Sequence, residues 1–172
     1  MKRRQLPKML LGFFKLVFLL IFISSCGGNE DDSSGGLKGN WMLSSILLKS
    51  DISETELTFN SSSTISFSFN SSGSYTFNRN EIEESGSYSL DSENNILTIT
   101  NSQGTTEFEI VSFSESELTY VAASINTNAT LTQETADILH FASLNFISRG
   151  QDLSDELSRS ENFVVMFSLK KI

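Results

Sequence analysis

The chain has 172 residues, with 12 Lys+Arg against 21 Asp+Glu, a formal net charge of −9, one His and one Cys. An acidic balance argues against nucleic-acid binding, which needs basic side chains to neutralise phosphates. With only Cys26 and His140 available, an internal disulfide, a Cys-based zinc cluster and a His-pair metal site are excluded, and no cofactor is implied.

The first segment, 1–25, has the order of a secretory signal. Met1–Lys15 is a basic leader, holding five of the 12 basic residues and none of the acids. Leu16 to Ile23 is an unbroken apolar run, too short for the ~20 residues that cross a membrane. Ile23-Ser24-Ser25-Cys26 resembles the lipobox of bacterial lipoproteins, an aliphatic and two small residues before a Cys. That resemblance implies cleavage before Cys26, lipidation at Cys26 with palmitate-type chains, and a membrane partner reached through the anchor. More than one acyl chain is what makes such anchoring stable. Segment 26–37 is an acidic Gly/Ser tether, flexible by composition. Its Asn29-Glu30-Asp31-Asp32 resembles the acidic stretch that directs Bacteroidota lipoproteins to the outer face of the outer membrane; a plain solvated spacer is the alternative.

Segment 38–172 reads as one all-β domain. Apolar residues alternate with Ser and Thr between turn residues, the period-two signature of half-buried strands. An opening strand spans Gly39–Leu48. Thr64–Phe69 alternates, Asn70-Ser71-Ser72-Gly73 turns, and Ser74–Phe77 resumes. Strands follow at Gly86–Leu90, Ile96–Thr100, Thr105–Phe113, Glu117–Ala122 and Phe163–Leu169. The turn spacing predicts an antiparallel up-and-down meander closing into a barrel, which removes exposed edges. The insertion 124–162 breaks the rhythm. Thr132 to Gly150 predicts a helix, with Glu134 and Asp137 near its start, Arg149 near its end and Gly150 as a C-terminal cap. Two short strands are the alternative, because Leu139/Phe141 and Leu144/Phe146 also alternate.

Gly39-Asn40-Trp41, Phe69-Asn70-Ser71-Ser72-Gly73-Ser74-Tyr75, Gly86-Ser87-Tyr88, Leu97-Thr98-Ile99 and the closing Phe167-Ser168-Leu169-Lys170-Lys171 stand in a fixed order. This order resembles the lipocalin-like domains of Bacteroidota lipoproteins. The resemblance implies a calycin-like barrel with a possible ligand cavity. True lipocalins often stack an Arg of the last strand on the opening Trp. Here Lys170 is the substitute cation considered.

Catalytic chemistry finds little support. His140 is the one imidazole base, and no G-x-S-x-G elbow is present. Glu107 and Glu109 alternate with Phe108 and Ile110, the pattern of a solvent face. A glycosidase-type reaction needs two inward carboxylates roughly 5–10 Å apart. Asp91-Ser92-Glu93-Asn94-Asn95 lacks the ligand spacing of a calcium loop and reads as a turn. Arg79 has two readings, a pair with Glu81 or a contact to an anionic ligand.

The aromatics carry the binding expectation. Trp41, Phe67, Phe69, Tyr75, Phe77, Tyr88 and Tyr120, with Phe108 and Phe167, come from different strands and share one interior if the sheet closes. Such an interior is either filled by side chains or holds one small ligand. The reading is therefore a non-enzymatic, lipid-anchored envelope lipoprotein that binds a small apolar or amphipathic ligand. The alternative is a protein-interaction module at the cell surface using insertion 124–162, its protein partner unidentified.

Overall fold

A computed structural model describes residues 36–172, apart from 61, 62 and 81. The signal, the lipobox with Cys26 and nearly all of the tether lie outside the described residues.

Among the described residues nine strands follow one another: β1 (Gly39–Ser50), β2 (Glu54–Thr58), β3 (Ile65–Phe69), β4 (Ser74–Arg79), β5 (Ile82–Asp91), β6 (Ile96–Asn101), β7 (Gly104–Phe113), β8 (Glu117–Asn126) and β9 (Asn162–Lys171). All pairings are antiparallel, and β9 returns to pair with β1. β1 and β3 to β9 thus close an eight-stranded antiparallel barrel, as the alternation predicts. Register shifts between Leu43 and Ser45, Ile110 and Ser112, and Val121 and Ala123 mark bulges. Such extra residues bend a strand and help a sheet curl into a barrel.

β2 is the strand that sequence reading leaves out. Its Glu54-Thr55-Glu56-Leu57-Thr58 offers one apolar side chain, too little for a period-two signal. It forms because β1 is long. The first half of β1, Gly39–Met42, pairs with β3, and the second half, Ser45–Lys49, takes β2 on the same side. Backbone groups there need ladder partners more than β2 needs hydrophobicity.

The insertion folds as helices: α1 (Gln133–Ser148) and the short α2 (Ser154–Arg159). The two-strand alternative is thereby set aside. Thr132 caps α1, its side chain accepting the Thr135 N–H. At the other end the Gly150 N–H donates to the Ile147 carbonyl and the Gln151 N–H to the Phe146 carbonyl. This pair of bonds is a Schellman motif, and Gly150 supplies its left-handed residue with φ +76°. Ala142 and Phe146 are buried and turn the helix's apolar stripe to the barrel.

The two ends of the barrel differ. At the end where β1 begins, Trp41 is fully buried with Leu37, Leu43, Leu118 and Leu169. Its indole Nε1 donates to the Leu37 carbonyl at 2.6 Å. The cation over its ring is Lys171, with Nζ 5.2 Å from the centroid, and not Lys170. The register explains the difference: Lys171 pairs with Trp41 and Lys170 with Met42, so alternation sends their side chains to opposite faces. Lys171 Nζ also donates to the Gly36 carbonyl, joining the two ends of the domain's chain. Toward the other end, Ile46, Leu48, Ile125, Phe163 and Val165 are buried in the same core, together with Ala142 and Phe146 of α1. Arg149 fastens the helix, donating from Nη1 to the Thr58 carbonyl at 3.1 Å and covering the Phe59 ring at 4.9 Å.

Candidate ligand-binding cavity

The interior is neither wholly filled nor wholly hollow. A cavity of about 680 Å³ opens between β1, β3 to β9 and the inner face of α1, with Leu43 and Leu169 in its lining, whereas Trp41 and Leu37 lie outside it. Small-molecule sites occupy roughly 300–1,000 Å³.

Cross-strand register builds its aromatic wall. Phe67 faces Phe77 and Phe69 faces Tyr75 across β3 and β4, with ring centroids 4.8 Å and 6.4 Å apart. Phe67 and Phe69 lie stacked at 5.7 Å. Across the lumen, Tyr120 is edge-on to Phe108 at 5.2 Å and to Phe167 at 5.9 Å. Phe141 of α1 continues this chain, edge-on to Phe167 at 5.9 Å. Edge-to-face and offset pairs are the favoured aromatic geometries, so the wall is set by packing before any ligand arrives.

Of the seven candidate residues, Phe67, Phe69, Tyr75, Phe77 and Tyr120 line the cavity. Trp41 and Tyr88 do not. Trp41 belongs to the filled part of the interior. Tyr88 packs its ring edge-on against Phe69 at 4.8 Å and donates its hydroxyl to the Asn70 carbonyl at 2.8 Å. That bond ties β5 to the β3–β4 turn.

A polar corner interrupts the aromatic wall. Glu84 shares the inward face of β5 with Gly86 and Tyr88, opposite Phe77 of β4. Its Oε1 accepts from the Tyr75 hydroxyl at 2.9 Å and from Asn101 Nδ2 at 2.5 Å. Burial, and secondarily the hydrogen bond to Glu84, pushes the Tyr75 phenol up to about 12. Gly86 gives Tyr75 its room. A Cβ there would overlap the Thr100 carbonyl oxygen and come within 2.9 Å of Tyr75 Cε1. Sequence reading meets Glu84 only among near-paired carboxylates and Asn101 only in a turn, and places neither at the site, although continuing the Tyr88-Gly86 alternation two residues back reaches Glu84. The three Tyr hydroxyls differ accordingly. Tyr75 and Tyr88 are bonded within the protein; the Tyr120 hydroxyl has no hydrogen-bond partner among the described residues, and burial pushes its phenol up.

The mouth lies between the β6–β7 turn and the start of α1, where Gln103, Thr106, Glu134 and Asp137 line the cavity. Thr106 Oγ1 donates to Glu134 at 3.4 Å, and Gln133 Nε2 donates to Asp137 at 2.8 Å. Arg79 lies at the same mouth with its guanidinium 4.6 Å over the Phe141 ring. Its suggested partner Glu81 lies outside the described residues.

Groups weighed for chemistry sit elsewhere. His140 is exposed on α1, and Glu107 and Glu109 face solvent on β7. Asp91 serves its own turn, accepting the Glu93 and Asn94 N–H groups and Asn94 Nδ2. Hydrogen bonds from the Asn94 side chain and backbone hold the Asp91 carboxyl below its ordinary value. Among the described residues no group of three or more His, Cys, Asp or Glu is placed to hold a metal ion.

No curated protein and no solved structure matches this chain. Residues 37–120, which reach from Leu37 to the cavity residue Tyr120 and stop before α1 and β9, match the family model of a lipocalin-like domain.

Proposed function

We propose that the protein is a lipid-anchored envelope lipoprotein whose barrel binds one small apolar or amphipathic ligand without chemical turnover. The observation that carries this reading is the aromatic cavity of about 680 Å³ with α1 as one wall. Apolar walls with a few placed polar groups are what small-molecule sites are made of. The Ile23-Ser24-Ser25-Cys26 sequence supports anchoring through Cys26 in the outer membrane, and the acidic tether after it supports display at the surface. Acid-catalysed hydrolysis is disfavoured, because it needs an enclosed pair of carboxylates. Of the three that line the cavity, Glu84 stands inside and Glu134 and Asp137 are exposed. Use of the insertion as a protein contact is also disfavoured, since its helix spends Ile138 and Phe141 on the cavity.

Native mass spectrometry with dodecanol tests the reading. A saturable one-to-one complex is expected. Ala122, a small side chain lining the cavity, gives the control: Ala122→Phe intrudes on the lumen and weakens the complex while the circular-dichroism spectrum keeps its β signature. Equal binding by both proteins overturns the cavity as the site.

A further inference from the structure

The charged groups around the cavity do not balance, and they indicate which ligand the lumen prefers. We propose that the cavity selects amphiphiles with a cationic, hydrogen-bond-donating head, an alkylammonium in the simplest case, over anionic amphiphiles with the same tail. The proposal rests on the binding reading above.

Three carboxylates line the cavity, Glu84, Glu134 and Asp137, against one guanidinium, Arg79. Arg79 is exposed and lies over Phe141. The only ion pair among the described residues, Lys49–Glu54, is elsewhere. Glu84 is the decisive group. It points inward from β5, and both of its protein contacts, Tyr75 and Asn101, are neutral and made to the same oxygen. Its Oε2 therefore has no partner among the described residues. Glu84 is half-buried, and a carboxylate partly screened from water attracts a cation more strongly than an exposed one. A ligand ammonium supplies that cation and donates to the vacant oxygen, a charge-assisted bond. Phe77, cross-strand from Glu84, offers an aromatic face to the same cation. A carboxylate or sulfate head would meet like charge instead.

A second observation points to a ligand with a polar group. Tyr120 is 7% exposed, lines the cavity, and leaves its hydroxyl without a hydrogen bond among the described residues, so that its oxygen is offered to whatever occupies the lumen. A phenol so nearly buried ordinarily finds a partner. In a cavity otherwise walled there by Phe108 and Phe167, the ligand is the source of one.

The test titrates the purified protein with dodecylammonium, dodecanol and dodecanoate at neutral pH, below their aggregation concentrations, by calorimetry. Dodecylammonium should bind tightest, by roughly tenfold or more over dodecanoate. Raising the ionic strength should narrow that gap. Glu84→Gln should bring dodecylammonium down to the level that dodecanol reaches in the same variant. Tyr120→Phe, which removes a hydroxyl without a protein partner, should weaken dodecanol several-fold. Equal binding of the three ligands by the native protein, or a preference for dodecanoate, overturns the proposal and leaves the binding reading intact. Failure of all three to bind overturns the binding reading itself. If Glu84→Gln fails to fold, the ranking and its salt dependence in the native protein still decide.

Discussion

Single side chains divide the barrel interior into a filled part and a cavity. Trp41 illustrates the first. It is fully buried, its one donor is satisfied by Leu37, and Lys171 covers its face, so nothing is left for a ligand. Trp41→Ala should therefore cost about 3–5 kcal/mol of stability, the range for deleting a buried large aromatic, read from the denaturant midpoint. Tyr75 illustrates the second, with a hydrogen bond that survives only while the phenol keeps its proton. Its value is raised from 10.0 to about 12. Folding thus favours the protonated form: its contribution is complete below pH 10, declines once the unfolded chain ionises, and is lost as pH rises through about 12. A stability profile measured by alkaline titration should fall across that window, and Tyr75→Phe should lessen the fall. The aromatic residues of this site are legible in the sequence because alternation marks their face. Glu84 is not, because a carboxylate two residues before Gly86 reads as solvent-facing until the register with Phe77 is known.

At the scale of elements, what the sequence displays depends on whether a segment carries its own signal. The turn after β3 does. Asn70 Oδ1 accepts the Ser72 and Ser74 N–H groups, and Gly73 takes φ +76°, both consequences of Asn and Gly at those places. Helix α1 carries caps at both ends, yet its apolar spacing is shared with two short strands, and only packing against β8 and β9 decides. β2 carries almost no signal and exists through β1. The cap at Gly150 separates conformation from contact. A Cβ there meets nothing within 4 Å, so Gly150→Ala should cost only the left-handed backbone penalty, about 1–2 kcal/mol. Hydrogen exchange should show that loss as faster exchange in the last turn of α1, while β4 and β5 stay protected. Uniform acceleration across the barrel would show that α1 and the strands unfold as one unit.

For the whole molecule, closure and cavity are linked. Eight strands give an interior just wide enough for side chains or for one small ligand, and here buried side chains fill part of it while a cavity takes the rest. The length of β1 allows it: β3 takes its first half and β2 its second, which leaves α1 to complete the wall that strands alone do not. A sequence shows how many strands there are, but not how the lumen is divided among Trp41, α1 and empty space. That division follows from register, bulges and the helix's final position. The outer face of α1, where Leu144 is 51% and Ile147 60% exposed, is the competing contact surface. A nuclear-magnetic-resonance titration with dodecanol distinguishes the two most directly. Saturable shifts should appear at Phe67, Phe77, Ile99, Tyr120 and Ile138, with Leu37 and Trp41 unmoved. Shifts centred on Leu144 and Ile147, or none at saturating ligand, would contradict a barrel that holds its ligand inside.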